Sequence, residues 1–178
     1  MNYLSEKIVV NEMRLEYKEW CSLLSVEEYK AIRKYSYNSY DKKPNRFFER
    51  INTMLRGTYN RSDSTKLKVY ANVISKAICR HNLQQPIICY RGSDIDVTSG
   101  IETNTEFMFN QFISTSVIKS KVFKCRYLYI IYAVPGTKGA YIEEISCFPK
   151  QREFLLDKNC KYKLLSRKEN IIELEVVL

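Results

Sequence analysis

The amino-acid sequence predicts an α+β fold in which helices come first and strands follow. Up to about residue 83, apolar residues recur with helical spacing, whereas from Pro86 onward short β-branched and aromatic runs are separated by turn residues. Helices and strands do not alternate along the chain, so a doubly wound parallel sheet is not expected. We predict a single domain over residues 1–178, mainly helical over 1–83 and mainly stranded over 84–178.

Four helices are predicted in the first half. The first is amphipathic, and its inward face is formed by Met13, Tyr17, Trp20, Cys21 and Leu24. The second begins at the capping box of Ser25 and Glu28. Its predicted inward residues are Val26, Tyr29 and Ile32. The third begins at Pro44 and ends at Gly57. The fourth runs over about 64–82.

Seven strands are predicted in the second half, with a turn over 135–139 between two of them. They span 87–90, 111–116, 127–134, 140–145, 153–156, 161–165 and 171–178. The longest nearly uninterrupted apolar run, 127–134, is far shorter than the roughly 20 residues that a membrane-spanning helix needs. The first 15 residues mix charges with no apolar core, so neither a signal peptide nor a membrane partner is expected.

The net charge of the chain indicates which classes of partner it could bind, and says little about its fold. The chain carries 29 Lys and Arg against 20 Asp and Glu, a net charge of +9. Such a charge favours binding to nucleic acid, acidic protein surfaces or phosphorylated ligands. The equal alternative is a basic surface without a specific polyanionic partner. With 45% apolar and 28% charged residues, the composition is that of a globular chain large enough to bury a core without disulfides or metals.

Cysteine and histidine usage argues against a metal centre. The chain has six cysteines, Cys21, Cys79, Cys89, Cys125, Cys147 and Cys160. No two of them have metal-ligand spacing, and His81 is the sole histidine. We therefore predict no metal and reduced, mostly buried thiols. His81 lies in a helical pattern and is predicted to be structural, so catalysis by a histidine base is not expected.

The polar residues that could carry chemistry lie in the strand half. Arg91 and Gly92 end a strand, where a guanidinium suits bidentate phosphate binding and a glycine allows close backbone approach. Three hydroxyls follow an apolar pair at 114–116, and Gln151 and Glu153 would share a face if that segment is extended. Each motif alone is typical of an ordinary strand end or solvated edge. Their occurrence together and in this order favours a functional site.

That ordered set resembles the mono-ADP-ribosyltransferase toxin family of the arginine–serine–glutamate class. The resemblance covers nearly the whole chain, and it is carried by Tyr-Arg-Gly at 90–92, Gln-Phe-Ile-Ser-Thr-Ser at 111–116, Phe-Lys-Cys-Arg at 123–126, and the 134–156 stretch with its Gln-x-Glu loop. It implies an N-terminal helical lid, including residues 31–36, over a two-sheet mixed β core. The loop over 116–123 looks shorter than in the toxins.

The resemblance also implies a role for each site residue, with NAD as co-substrate and no metal. Glu153 would hold the ribose and face the oxocarbenium-like cation, and Ser114 would orient Glu153. Arg91 and Arg126 would neutralise the pyrophosphate, and the backbone at Gly92 would approach the nicotinamide amide. The complete predicted NAD-binding set is Arg91, Gly92, Gln111, Ser114, Thr115, Ser116, Arg126 and Glu153. The predicted target-recognition residues are Phe148 and Gln151.

Gln151 decides between acceptors within the family. Relatives with glutamate at this position modify arginine, whereas a glutamine suits asparagine on Rho-type GTPases, or guanine in DNA. We predict an enzyme that resembles the Rho-directed exoenzymes and modifies a target protein, with a small GTPase as the candidate target. The alternatives are a guanine modifier, an inactive module that binds NAD or a GTPase, and a basic nucleic-acid-binding domain without chemistry. We expect a monomer that acts in the cytoplasm of its producer or, as a secreted or injected effector, of a host.

Overall fold

The computed structural model describes residues 1–37 and 46–178. The four predicted helices are present, and their bounds are α1 Val9–Ser22, α2 Val26–Ser36, α3 Phe47–Leu55 and α4 Ser64–Ile78. The start that we predicted for the third helix, at Pro44 and Asn45, lies outside the described residues. The fourth helix ends at Ile78, short of the predicted residue 82, and His81 follows it. None of the described helices is long and apolar enough to cross a membrane.

The helices are oriented by their apolar faces. On α1, Val9, Met13, Tyr17 and Trp20 recur at three- and four-residue spacing and are buried. The capping box of α2 is formed as predicted, with both hydrogen bonds between Ser25 and Glu28 present.

The predicted inward face of α2 is only partly correct. Val26 and Tyr29 are 69% and 38% exposed, whereas Ile32 is buried. The buried stripe instead runs through Ala31, Ile32 and Tyr35. The helix presents this stripe because the ring of Tyr35 packs on Phe112 in the core. Val26, in the first turn, is apolar but exposed, so its presence in the sequence favoured the wrong face of the helix.

Eight strands follow the helices, which confirms the predicted α+β order. Their bounds are β1 Ile87–Ser93, β2 Glu106–Met108, β3 Ile113–Ser116, β4 Tyr127–Ala133, β5 Gly139–Tyr141, β6 Glu153–Leu156, β7 Lys161–Lys168 and β8 Ile171–Val177. All seven predicted strands are present, and the sequence analysis missed β2. This strand has three residues with no alternating pattern, and it exists because it pairs with β7 at the sheet edge.

The strands form one mixed sheet in the order β2-β7-β8-β4-β1-β3-β6-β5. The pairing of β4 with β8 is parallel, and the other neighbours are antiparallel. We predicted two sheets, and the two parts are joined here by a single pair of residues, Tyr90 of β1 and Ser116 of β3. The five-strand and three-strand parts therefore diverge on either side of this junction, and the candidate site lies there.

The cysteine and histidine predictions have different outcomes. All six cysteines are free, as predicted. Only Cys89 and Cys160 are buried, so the prediction of mostly buried thiols is wrong for the other four, which lie near the ends of elements at the margin of the core. The His81 Nε2 atom lies 3.1 Å from Glu16 Oε1, and its ring packs edge-on against Tyr17. These contacts are those of a structural residue.

Candidate active site

A cleft of about 550 Å³ opens where β1 and β3 separate. One wall is formed by these strands and the start of β6, and the other by residues from α2 and α3. The segment 121–125 borders the cleft opening beside β1. The volume lies within the range of roughly 300–1,000 Å³ that is typical of sites for small molecules and cofactors. Gln151 and six of the eight predicted NAD-binding residues line this cleft, the six being Arg91, Gly92, Ser114, Thr115, Ser116 and Glu153.

A buried carboxylate lies at the base of the cleft. Glu153 is the first residue of β6 and is only 4% exposed. In the β3–β6 ladder Ser114 pairs with Leu155, so Ser114 and Glu153 are diagonal neighbours on one face of the sheet. The Ser114 hydroxyl donates to Glu153 Oε1 at 2.5 Å. The sheet register therefore sets this contact.

Burial changes the proton affinity of Glu153. Removal from water raises the pKa of this carboxyl to about 7, although the Ser114 hydrogen bond and the Arg91 charge oppose the rise. The group is thus balanced between its neutral and ionised forms near neutral pH. A carboxyl in that state is typical of functional sites.

Arg91 connects β1 with β3 beside this carboxyl. It is half-buried, and its Nη1 donates to the Ser114 carbonyl oxygen at 2.9 Å. Arg91 lines the cleft, and among the described residues no carboxylate forms an ion pair with it. This arrangement leaves a planar cation available to an anionic ligand.

Gly92 is required by the fold at this point. A Cβ atom placed on it would lie 2.4 Å from the Phe123 carbonyl oxygen and 3.1 Å from Cys125 Sγ. The segment 121–125 can therefore approach β1 only because residue 92 has no side chain. The glycine lines the cleft as predicted, but its observed neighbour is this segment.

The hydroxyls of 114–116 divide into two groups. Ser114 alone reaches the carboxylate. The Thr115 hydroxyl donates to the Phe154 carbonyl at 2.6 Å, and the Ser116 hydroxyl donates to the Ile118 carbonyl at 3.0 Å. Thr115 and Ser116 therefore contribute mainly to the backbone that holds β3 against β6 and the loop that follows.

Three predicted site residues lie outside the cleft wall. Arg126 is exposed, and its guanidinium lies over the ring of Tyr127 at 5.3 Å. Gln111 accepts a hydrogen bond from Arg56 at the end of α3. Phe148 is half-buried and stacks on Tyr37. Instead of Arg126, the cations lining the cleft from this segment are Lys121 and Lys124.

The Gln151 segment is not extended. A 3₁₀ turn spans Pro149–Gln151, and Arg152 has φ 54° in the left-handed region. The extended conformation under which Gln151 and Glu153 would share a strand face is therefore not present. Their side chains nevertheless line the same cleft, because the turn brings Gln151 to it from outside the sheet.

The helical wall contains two residues that the sequence analysis did not name as site residues, although Tyr35 lies within the predicted lid segment 31–36. The Tyr35 hydroxyl and Asn52 form a buried hydrogen-bonded pair, with Asn52 Nδ2 donating to Tyr35 Oη at 3.0 Å. Burial raises the pKa of Tyr35 far above its usual value, so its hydroxyl keeps its proton. Asn52 directly follows the core residue Ile51, and this polar residue next to an apolar face was the signal available in the sequence.

Comparisons with known proteins identify the family of this chain. A family model described as ADP-ribosyltransferase exoenzyme matches residues 14–175. The curated NAD(+)–arginine ADP-ribosyltransferase EFV of Enterococcus faecalis is 28% identical over 170 residues, which covers 89% of this chain and 32% of that protein. The chain thus spans about a third of the length of the curated relative that it matches.

Solved structures of other proteins share the fold. C3stau2 from S. aureus, solved with NAD, has a TM-score of 0.80 at 16% identity, covering 99% of this chain and 98% of that chain. Plx2a, an ADP-ribosyltransferase toxin from Paenibacillus larvae, has a TM-score of 0.75 at 21% identity, with the same coverage. At these identities the likeness concerns the fold.

The chain belongs to the ADP-ribosyltransferase exoenzyme family. This confirms the predicted resemblance, the predicted fold and the predicted class of enzyme, for which NAD is the co-substrate. Among residues 1–37 and 46–178, no three His, Cys, Asp or Glu side chains are grouped so that they could hold a metal ion.

The first prediction concerns the proton on Glu153. The ionised form, which electrostatic catalysis would need, forms as the pH rises through about 7, so kcat/KM for NAD hydrolysis should rise with pH with a midpoint near 7. Ser114→Ala removes a hydrogen bond that favours the ionised form. Its midpoint should therefore move to higher pH by roughly 1 to 2 units.

The matched control is Thr115→Val, which removes a neighbouring hydroxyl that does not reach the carboxylate. Its pH midpoint should stay with the wild type even if the rate changes. A pH midpoint that is the same in wild type and Ser114→Ala would show that the profile reports another group.

Proposed function

We propose that this domain transfers ADP-ribose from NAD to a side chain of a target protein, with release of nicotinamide. The observation that carries the proposal is the buried Glu153–Ser114 pair at the base of a cleft that also presents the Arg91 guanidinium. A buried carboxylate ordinarily needs a cation beside it, and within residues 1–37 and 46–178 Glu153 forms no ion pair. Stabilisation of a positive charge that develops during the reaction would explain why the fold keeps a carboxylate here.

Glu153 would act on the nicotinamide ribose. As the bond between C1′ and the nicotinamide nitrogen breaks, positive charge develops on the ribose, as in glycoside chemistry. The ionised Glu153, which accepts a hydrogen bond from Ser114 at 2.5 Å and is itself almost fully buried, would hydrogen-bond to a ribose hydroxyl and stabilise that charge. The acceptor atom then bonds to C1′ and loses its proton to the site or to solvent.

The cationic part of the cleft would bind the pyrophosphate. Arg91 offers a planar guanidinium, and Lys121 and Lys124 add two flexible cations from the facing segment. Arg126 lies beyond this wall, so its contribution would require its side chain to leave the Tyr127 ring. Of the remaining predicted NAD-binding residues, Thr115, Ser116 and Gln111 would act by holding the backbone and loop in place.

The acceptor would be read mainly by Gln151. Gln151 lines the same cleft as Glu153 and is half-buried. An amide that can both donate and accept matches an amide acceptor, and we therefore propose asparagine of a small GTPase of the Rho type, with Phe148 at the rim as an apolar contact. The name of the curated relative gives arginine as that protein's acceptor.

A guanine acceptor in nucleic acid is the second candidate. The observation that favours it is the segment 121–125, in which two lysines flank Phe123, itself 51% exposed, at the opening of the cleft. A degenerate binding module is disfavoured because Arg91, Ser114 and Glu153 are all present and in contact or facing one another.

The wider setting of the domain is also a proposal. We propose that residues 1–178 act as one transferase domain and as a monomer. We further propose that it reaches the cytoplasm of a target cell as a secreted or injected effector, in keeping with a toxin family.

The second prediction tests the catalytic carboxylate. Glu153→Gln keeps the shape and the Ser114 contact but removes the negative charge, so transfer and NAD hydrolysis should both fall by about 10²-fold or more. The NAD dissociation constant, measured by calorimetry, should change little. Wild-type rates of labelling by this variant would refute the proposed mechanism, whereas lost NAD binding would make Glu153 a binding residue.

The third prediction tests acceptor selection. Gln151→Glu should reduce labelling of the target protein while much of the NAD hydrolysis remains, because water needs no acceptor recognition. Labelled protein and released nicotinamide are measured in the same reaction. Equal loss of both would show that Gln151 supports catalysis at the ribose, and persistent labelling of the same residue would show that Gln151 does not select the acceptor.

A further inference from the structure

A buried carboxylate behind the cleft, Glu143, binds the residue that separates Gln151 from Glu153. Its side chain is 8% exposed, and it follows β5 without lining the cleft. Nothing in the chemistry proposed above uses it. Three side chains converge on its two oxygens, namely those of Arg14, Tyr141 and Arg152.

These contacts connect three separate parts of the fold. Arg14 of α1 binds both oxygens of Glu143, with Nη2 2.8 Å from Oε1 and Nε 2.9 Å from Oε2. The Tyr141 hydroxyl donates to Oε2 at 2.8 Å, and Arg152 Nη1 forms an ion pair with Oε1. The two-pronged arginine contact fixes the orientation of the carboxylate as well as its position. Arg152 therefore binds a rigid anchor.

The backbone of Arg152 has an unfavourable conformation that its ion pair with Glu143 helps to hold. Its φ of 54° and ψ of 48° lie in the left-handed region, which is unfavourable for a residue with a Cβ atom. Its carbonyl accepts from Val117 N at 3.1 Å, and its N–H donates to the Pro149 carbonyl at 3.2 Å. The ion pair with Glu143 adds the tertiary contact through the side chain.

Position 152 determines how Gln151 faces the cleft. It is the single residue between Gln151, which ends a 3₁₀ turn, and Glu153, which begins β6. Glu153 is held separately, by the β3–β6 ladder and by the Ser114 hydroxyl. Release of Arg152 would therefore displace Gln151 far more than Glu153.

We propose that Glu143 is a positioning residue that acts through Arg152 to hold Gln151 toward the acceptor. This inference rests on the proposed function, in which Gln151 orients the acceptor and Glu153 acts on the ribose. It predicts that Glu143 controls how NAD is divided between transfer to protein and hydrolysis by water. A merely structural ion pair would lower both rates together through loss of folded protein.

The test compares transfer with hydrolysis in Glu143→Gln and in substitutions of Arg152. Labelled NAD is incubated with eukaryotic cell lysate to measure protein labelling, and without lysate to measure nicotinamide release. Glu143→Gln should reduce labelling per folded enzyme by about tenfold or more, because small displacements of orienting groups are costly, while nicotinamide release stays within about threefold.

Two variants of Arg152 separate the backbone from the ion pair. Arg152→Gly favours the same left-handed backbone but lacks the guanidinium, so it should lose labelling to a similar extent. Arg152→Lys keeps a cation within reach of Glu143 and should recover part of the labelling. These variants also decide the matter if Glu143→Gln does not fold.

The matched control is Glu28→Gln, at another buried carboxylate that forms an ion pair, with Arg80, away from the cleft. Glutamine still serves in the capping box of α2, so this variant loses the ion pair alone. Its ratio of labelling to nicotinamide release should equal that of the wild type.

Two outcomes would overturn the inference. An unchanged ratio in Glu143→Gln and Arg152→Gly would show that the ion pair is structural only, and so would an equal fall of the ratio in Glu28→Gln. Wild-type protein that releases no nicotinamide would instead overturn the proposed function, and the inference with it.

Discussion

The hydrogen bond from Ser114 to the buried Glu153 is the contact on which the rest of the site depends. A carboxylate removed from water is stable only when polar neighbours compensate its charge, and here one hydroxyl and the nearby Arg91 charge do so incompletely. The pairing of β3 with β6 supplies the geometry, since it places both side chains on one face. Divergence of the sheet beyond Tyr90 and Ser116 then leaves room for a ligand in front of them.

The elements around Glu153 shield this carboxylate from bulk water and leave it open to the cleft. Tyr35 and Asn52 close the helical side with a hydrogen-bonded pair that leaves no hydroxyl or amide unpaired. On the other side, the segment 121–125 can approach β1 only because residue 92 is a glycine. Both the Tyr35–Asn52 pair and the segment 121–125 therefore limit the access of water to Glu153. Less water around the carboxylate strengthens its interactions with nearby charges.

Residues tied to strand register could be predicted from the sequence. The β patterns predicted the strands that hold Ser114 and Glu153, and the contact between these residues, which the family resemblance implied, is observed because the two strands are neighbours. Arg126 and Phe148 were predicted from motif resemblance, but their side chains pack on Tyr127 and Tyr37, contacts that no linear pattern encodes. The turn conformation at Arg152 was missed for a similar reason.

Tertiary packing also explains the other differences between prediction and structure. In each case the deciding contact comes from a distant element. The short strand β2 forms because it pairs with β7, and the buried stripe of α2 is set by the packing of Tyr35 on Phe112. Glu143, the anchor of Arg152, is itself held by a residue distant in sequence, since Arg14 of α1 contacts it across 129 positions. Local periodicity predicts that an element exists, whereas these long-range contacts determine where its side chains point.

The division of labour in the site follows from how its two key residues are held. Glu153 belongs to the sheet, and Gln151 belongs to a turn held by an ion pair. Chemistry at the ribose would then depend on the rigid part of the fold, and acceptor choice on a part that can vary without disturbing the core. A crystal structure of Glu153→Gln with NAD tests this account most directly. We expect the nicotinamide ribose within hydrogen-bond distance of residue 153 and the pyrophosphate on Arg91, whereas NAD bound with its ribose away from residue 153 would contradict it.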